Sequence, residues 1–154
     1  MAELDKILIF GGAFNPPHIG HVTILEKAID FIKPQQTIVC VDKISPWKDS
    51  SMLAPYEYRV NMVNNLFSDK IKYMIYANKN NLVYTCDIVN EIHLDNPEAE
   101  LYFLIGQDQY ELVTTWNNYD VINNLCTIVC YKRGKNKVKR INDKHIILPD
   151  PIID

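Results

Sequence analysis

The sequence predicts an α/β fold, a parallel sheet of five or six strands with helices on both faces. Short apolar runs occur at Lys6 to Phe10, Thr37 to Val41, Ile71 to Tyr76, Leu101 to Ile105, Thr127 to Tyr131 and His145 to Leu148. Segments with helical spacing separate them, near Ile19 to Ile32, Pro55 to Phe67, Val83 to Leu94 and Asn117 to Leu125. Strands apolar on both faces need cover on both, and alternation with helices supplies it. The 154 residues hold no repeat, low-complexity tract or Gly/Ser linker, so residues 1–154 are expected to form one domain.

The first run, with Ile7-Leu8-Ile9 at its centre, meets Gly11-Gly12, where a tight turn is expected because glycine reaches backbone conformations closed to other residues. Pro16 and Pro17 keep the chain out of helix until His18. Val22, Leu25, Ala28, Ile29 and Ile32 then form one apolar stripe. His18 and His21 stand three apart at the helix start, so both rings can address one ligand. The unpaired N–H groups and positive dipole end of that helix favour an anion. Gly20, between the histidines, would let such a ligand approach the backbone. A sheet of this kind binds ligands beyond the carboxyl ends of its strands, where strand order reverses, and the Gly-Gly stretch lies at one such end.

Composition excludes several classes. A formal charge of −3 argues against a general nucleic-acid binder, which usually carries a basic patch. No apolar run approaches the about 20 residues of a membrane span, and no signal core is seen, so a cytoplasmic protein is expected. Cys40, Cys86, Cys126 and Cys130 are scattered without metal-ligand spacing and read as reduced, buried thiols.

Further along, Asp42 to Ser51 is too polar for core, and Pro46 makes it a loop. Arg59 reads as a surface residue or an ion-pair partner. Asn78 to Asn81 is a turn cluster, after which Thr85 and Asp87 read as first-turn helix residues. Gly106 and Asp108 end a strand in a way that suits a ribose diol: glycine lets a sugar approach and a carboxylate accepts from both hydroxyls. Trp116 reads as a partly buried core aromatic or as a stacking surface. Lys132, Arg133, Lys135, Lys137, Lys139 and Arg140 form a basic segment, either bordering a phosphate or solvated.

The run Gly11-Gly12-Ala13-Phe14-Asn15-Pro16-Pro17-His18-Ile19-Gly20-His21 resembles the signature of the nucleotidylyltransferase superfamily. In the form GGxFxPxHxGH it resembles the nicotinate/nicotinamide mononucleotide adenylyltransferases. Later motifs fall in register: Lys48 in a Pro-x-Lys-type element, Arg59-Val60-Asn61-Met62 for Arg-x-x-Met, Tyr84-Thr85-Cys86-Asp87 for Tyr-Thr-x-Asp, and Gly106-Gln107-Asp108 followed by Trp116. Lys132-Arg133-Gly134 resembles Arg-Pro-Gly without its proline.

The resemblance implies a Rossmann-like, doubly wound fold and adenylyl transfer from ATP to nicotinate mononucleotide in NAD biosynthesis. His18, His21 and Lys48 would be catalytic. Gly11, Gly12, Phe14, Gly20 and Arg133 would serve the ATP phosphates, and Tyr84, Thr85, Gly106, Asp108, Trp116 and Asn117 the mononucleotide. Asn117, where the family often has Tyr, would open a helix whose amides favour the nicotinate carboxylate. Mg²⁺ would be held mainly by substrate phosphates, with no protein metal site. The family continues into an Ile-Ser-Ser-Thr-x-x-Arg segment that binds ATP phosphates, which these residues do not contain. Alternatives are nicotinamide mononucleotide or a pantetheine-phosphate type of acceptor, and a non-catalytic nucleotide-binding subunit.

Overall fold

The central runs carry aliphatic residues at nearly every position, and in a strand successive side chains point to opposite faces. The computed structural model describes residues 4–43, 53–132 and 137–149. Its strands are β1 (Lys6–Gly12), β2 (Gln36–Val41), β3 (Met74–Ile75), β4 (Glu100–Gly106), β5 (Cys126–Tyr131) and β6 (Ile146–Ile147). The α-helices are α1 (Ile19–Ile32), α2 (Tyr56–Phe67), α3 (Thr85–Asp95), α4 (Gln107–Tyr110) and α5 (Tyr119–Leu125). All pairings are parallel, in the order β3-β2-β1-β4-β5-β6.

One face of the sheet packs Leu8, Phe10, Val39 and Leu104 with Val22 and Leu25 of α1 and Val63 and Phe67 of α2. The other packs Ile7, Ile9, Ile38 and Phe103 with Val89 and Ile92 of α3 and Ile122 of α5. The fold is therefore the Rossmann-like, doubly wound sheet that the alternation predicts. α1 ends where predicted: Lys33 turns left-handed at φ 57° while its N–H still reaches the Ile29 carbonyl, and Pro34 follows.

Several local expectations are corrected. Gly11 and Gly12 do not form the turn; β1 runs through both, pairing Gly11 with Cys40 and Gly12 with Val41. The left-handed residue is Phe14, at φ 48°. The predicted strand Ile71 to Tyr76 shrinks to Met74–Ile75, because the Ile71 N–H is still bonded to the Phe67 carbonyl in the turn leaving α2. Asn117 does not open a helix: Asn118 adopts φ 51° and α5 begins at Tyr119. The short α4 and a 3-10 turn at Val113–Thr115 fill the stretch between β4 and α5.

Candidate active site

The sheet parts where its strand order reverses. β1 and β4 pair only as far as Phe10 with Leu104, whereas β1 stays on β2 to Gly12 and β4 stays on β5 to Gly106. A pocket of about 490 Å³ opens beyond this fork, between the two strand ends.

The β1 wall is set by the turn at Phe14. Its ring, 3% exposed, packs edge-on against Phe10 at 5.5 Å and Phe67 at 6.1 Å. The His21 ring stands on it at 5.1 Å, so the core itself orients this imidazole. His18 is the N-cap of α1, and its ring lies 3.8 Å from that of His21. The His18 backbone N–H donates to Nδ1 of His21 at 3.0 Å. Nδ1 is then an acceptor, which puts the proton of neutral His21 on Nε2, the donor form a phosphate oxygen needs. A side chain at Gly20 would come within 2.8 Å of the His18 ring, so glycine here makes room for the imidazole.

Arg59 holds this wall from behind. It is 1% exposed and donates to the carbonyls of Ala54 at 2.7 Å, Ala13 at 2.9 Å and Lys43 at 3.3 Å, and to that of Asp42. Of the readings the sequence leaves open, the surface one does not hold. Arg59 lies on the same helix face as Val63 and Phe67, and its guanidinium fork joins the segments that follow β1 and β2. Burial lowers its pKa from the ordinary arginine value, with the nearby Asp42 opposing. Asn15 adds a tie by accepting the Ala54 N–H at 3.0 Å.

The opposite wall comes from β4, β5 and the start of α3. Gly106 ends β4 against the Tyr131 phenol, which a side chain at position 106 would meet at 2.7 Å. Asp108 and Gln109 follow on α4 and line the pocket. Trp116 stands edge-on to Phe103 at 6.3 Å. Asn78 bonds both the N–H and the carbonyl of Leu82 at 2.8 Å, and Lys43 donates to the Asn78 carbonyl at 2.7 Å and to Asn81 Oδ1 at 3.0 Å. These bonds fix the approach to Tyr84 and Thr85. The Asn117 amide lies 3.7 Å from Sγ of Cys86.

The pocket thus brings together His18 and His21 with Gly11, Gly12 and Phe14. Across from them it gathers Tyr84, Thr85, Gly106, Asp108, Trp116 and Asn117. Gly20 is not among the residues that line the pocket, and a side chain there would crowd the His18 ring. Lys48 and Arg133 lie outside the described residues. Asp42, Phe103, Gln109 and Tyr131 also line the pocket and were not expected. Asp42 and Tyr131 could have been found, because each sits at the carboxyl end of a strand next to the point where order reverses. Among the described residues no group of three His, Cys, Asp or Glu side chains could hold a metal ion, and no helix is long and apolar enough to cross a membrane.

Comparison with known proteins matches residues 9–151 to the cytidylyltransferase-like family model. A "Probable nicotinate-nucleotide adenylyltransferase" of Pseudothermotoga lettingae is 33% identical over 168 residues, covering 99% of this chain and 82% of the relative. One of the same name from Shouchella clausii is 28% identical over 147 residues, covering 94% and 77%. Among solved structures, Plasmodium falciparum nicotinic acid mononucleotide adenylyltransferase complexed with NaAD superposes with a TM-score of 0.79 at 21% identity, over 95% of this chain and 76% of that one. That likeness concerns the fold. With its family model matched over residues 9–151 and its relatives sharing one name, the chain belongs to the cytidylyltransferase-like family and, within it, to the nicotinate-nucleotide adenylyltransferases.

Proposed function

We propose that this chain transfers the adenylyl group of ATP to nicotinate mononucleotide, forming deamido-NAD and pyrophosphate, a step of NAD biosynthesis. The observation that carries this reading is the fork between β1 and β4, which sets the paired imidazoles of His18 and His21 across one pocket from Asp108, Thr85 and Trp116. A phosphate monoester, with a second pKa of about 6, is already largely dianionic at neutral pH, so no side chain has to act as a strong base. An oxygen of the mononucleotide phosphate attacks the α-phosphorus of ATP. The bond from that phosphorus to the oxygen leading to the β-phosphate breaks, and pyrophosphate leaves.

Catalysis in this reading is alignment and charge stabilisation. His21 donates from Nε2 to an oxygen of the transferring phosphoryl group, His18 acts beside it, and the first turn of α1 offers N–H groups to the same charge. Lys48 and Arg133 are proposed for the phosphate chain. Asp108 accepts from sugar hydroxyls, Trp116 offers a face to the pyridine ring, and Thr85 addresses its carboxylate. Mg²⁺ would enter as an ion carried on the triphosphate and its waters. Bound there it would neutralise charge on the departing pyrophosphate. The four buried free cysteines suit a reducing compartment such as the cytoplasm.

The test is pyrophosphate release with ATP and Mg²⁺ in the presence of nicotinate mononucleotide, nicotinamide mononucleotide or pantetheine phosphate in turn. Fastest turnover with the nicotinate form is expected. Release only with pantetheine phosphate would move the chain to another acceptor class, and no release with any of them would leave a nucleotide-binding protein.

A further inference from the structure

A buried polar relay lies behind the β4 wall of the pocket. The Ile141 backbone N–H donates to the Tyr110 hydroxyl at 2.8 Å, and that hydroxyl lies 2.7 Å from Nδ1 of His145. Nε2 of His145 lies 2.8 Å from Oδ1 of Asn123, an oxygen that can only accept. Nε2 therefore carries the proton, Nδ1 accepts, and the phenol donates to Nδ1 while accepting from Ile141. His145 is 2% exposed and Tyr110 0%, and the neutral ring meets a complementary partner at each nitrogen. Lys144 adds a bond to the Asn123 carbonyl.

The relay joins two short helices that have little strength of their own. α4 has four residues and α5 seven, far below the about 12 at which an isolated helix becomes even marginal. Tyr110 is the last residue of α4, and Asp108 and Gln109 of the same turn line the pocket. Asn123 belongs to α5, which begins three residues after Trp116. An apolar contact would let these pieces slide; directional hydrogen bonds in a buried setting do not.

We infer that His145 is a positioning residue for the acceptor half of the pocket: by accepting from Tyr110 and donating to Asn123 it locks α4 to α5 and so places Asp108 against Trp116. It touches no substrate. In naming that half as the mononucleotide site the inference rests on the proposed function.

The test compares the wild-type protein with His145→Phe, Tyr110→Phe, the double variant and His145→Asn, each assayed well below its own melting temperature. His145→Phe and Tyr110→Phe are each expected to raise KM for nicotinate mononucleotide about tenfold while KM for ATP stays within about twofold. The double variant is expected to be no worse than the poorer single one, since both remove the same link. His145→Asn, whose Oδ1 can replace Nδ1 as the acceptor for Tyr110 but which is too short to reach Asn123, is expected to stay close to His145→Phe, since one bond alone does not join α4 to α5. Variants that lower only the melting temperature, or KM effects that multiply in the double variant, would overturn the positioning role. A wild-type protein inactive with every acceptor would instead overturn the proposed reaction. The relay is then judged by Trp116 emission in a Trp47→Phe background, where a shift in both single variants supports it and unchanged emission overturns it.

Discussion

Nδ1 of His21 accepts the backbone N–H of His18 at 3.0 Å, so one histidine fixes the tautomer of the other through the main chain rather than ring to ring. His21→Ala and His18→Ala are accordingly expected to cut kcat by about 10²-fold or more, the scale of losing a donor to a charged transition state. Mononucleotide affinity, measured by calorimetry, should change by no more than about twofold, because neither ring belongs to the acceptor half. Equal losses of turnover and affinity would remove the phosphate role.

Arg59 ties four backbone carbonyls from three segments, and its removal strands them in a buried place. Arg59→Met is expected to cost about 3–5 kcal/mol in urea unfolding, a few unmet acceptors at roughly 1–3 kcal/mol each less the gain of an apolar fill. Arg59→Lys keeps the charge but not the planar fork and should recover under half of that loss.

The Tyr131 phenol occupies the space a side chain at position 106 would need. Gly106→Ala should therefore destabilise by about 1–3 kcal/mol through overpacking. The same change made in a Tyr131→Val background should cost much less. Thermal or urea unfolding of the four proteins in this cycle reads the coupling directly.

Burial raises the thiol pKa of Cys126 and Cys130 to about 12, and that of Cys40 further still. In the native protein at pH 8 these three thiols should react with a thiol reagent only as fast as the chain unfolds, since the thiolate is the reactive form. Rapid labelling of any of the three without denaturant would contradict the packing.

His145 supplies a pH dependence with a definite sign. Burial first, then the cations Lys144 and Arg140, lower its pKa from 6.5, while Tyr110 of α4 and Tyr119 and Asn123 of α5 face the ring. The unfolded chain binds a proton below pH 6.5 that the folded chain resists, so this contribution to stability is complete above 6.5 and is lost as pH falls toward the folded pKa. Unfolding midpoints of wild type and His145→Asn measured from pH 8 downward should converge as that loss proceeds.

Much of the fold was legible because the apolar runs are long and the helix stripes are regular. Ile19 to Ile32 needed only its spacing, and parallel pairing followed from strands with no polar face. What stayed hidden depended on tertiary partners. The Gly11-Gly12 pair reads as a turn until β2 is seen beside it, and Met74–Ile75 reads as longer until the turn after α2 is seen to hold the Ile71 N–H. Asn117 and Asn118 carry no sign of which will turn left-handed. At the site, the histidines and Asp108 were visible as residue types at strand ends and a helix start. Arg59 stayed open because a charge on an apolar helix face looks the same at the surface and in the core until the carbonyls that surround it are known.

The early end of the β1–β4 ladder divides the pocket into two halves carried on separate strand ends. Everything proposed for the adenylyl donor within the described residues hangs from β1 and α1, and the sugar and ring contacts of the acceptor hang from β4, the short helices after it and the start of α3. Past Phe10 and Leu104 no strand pairing connects them. Drift or grafting in residues 100–117 can therefore alter which phosphate ester is taken up while the machinery that cleaves ATP keeps its shape, a division of labour that makes the scaffold easy to repurpose.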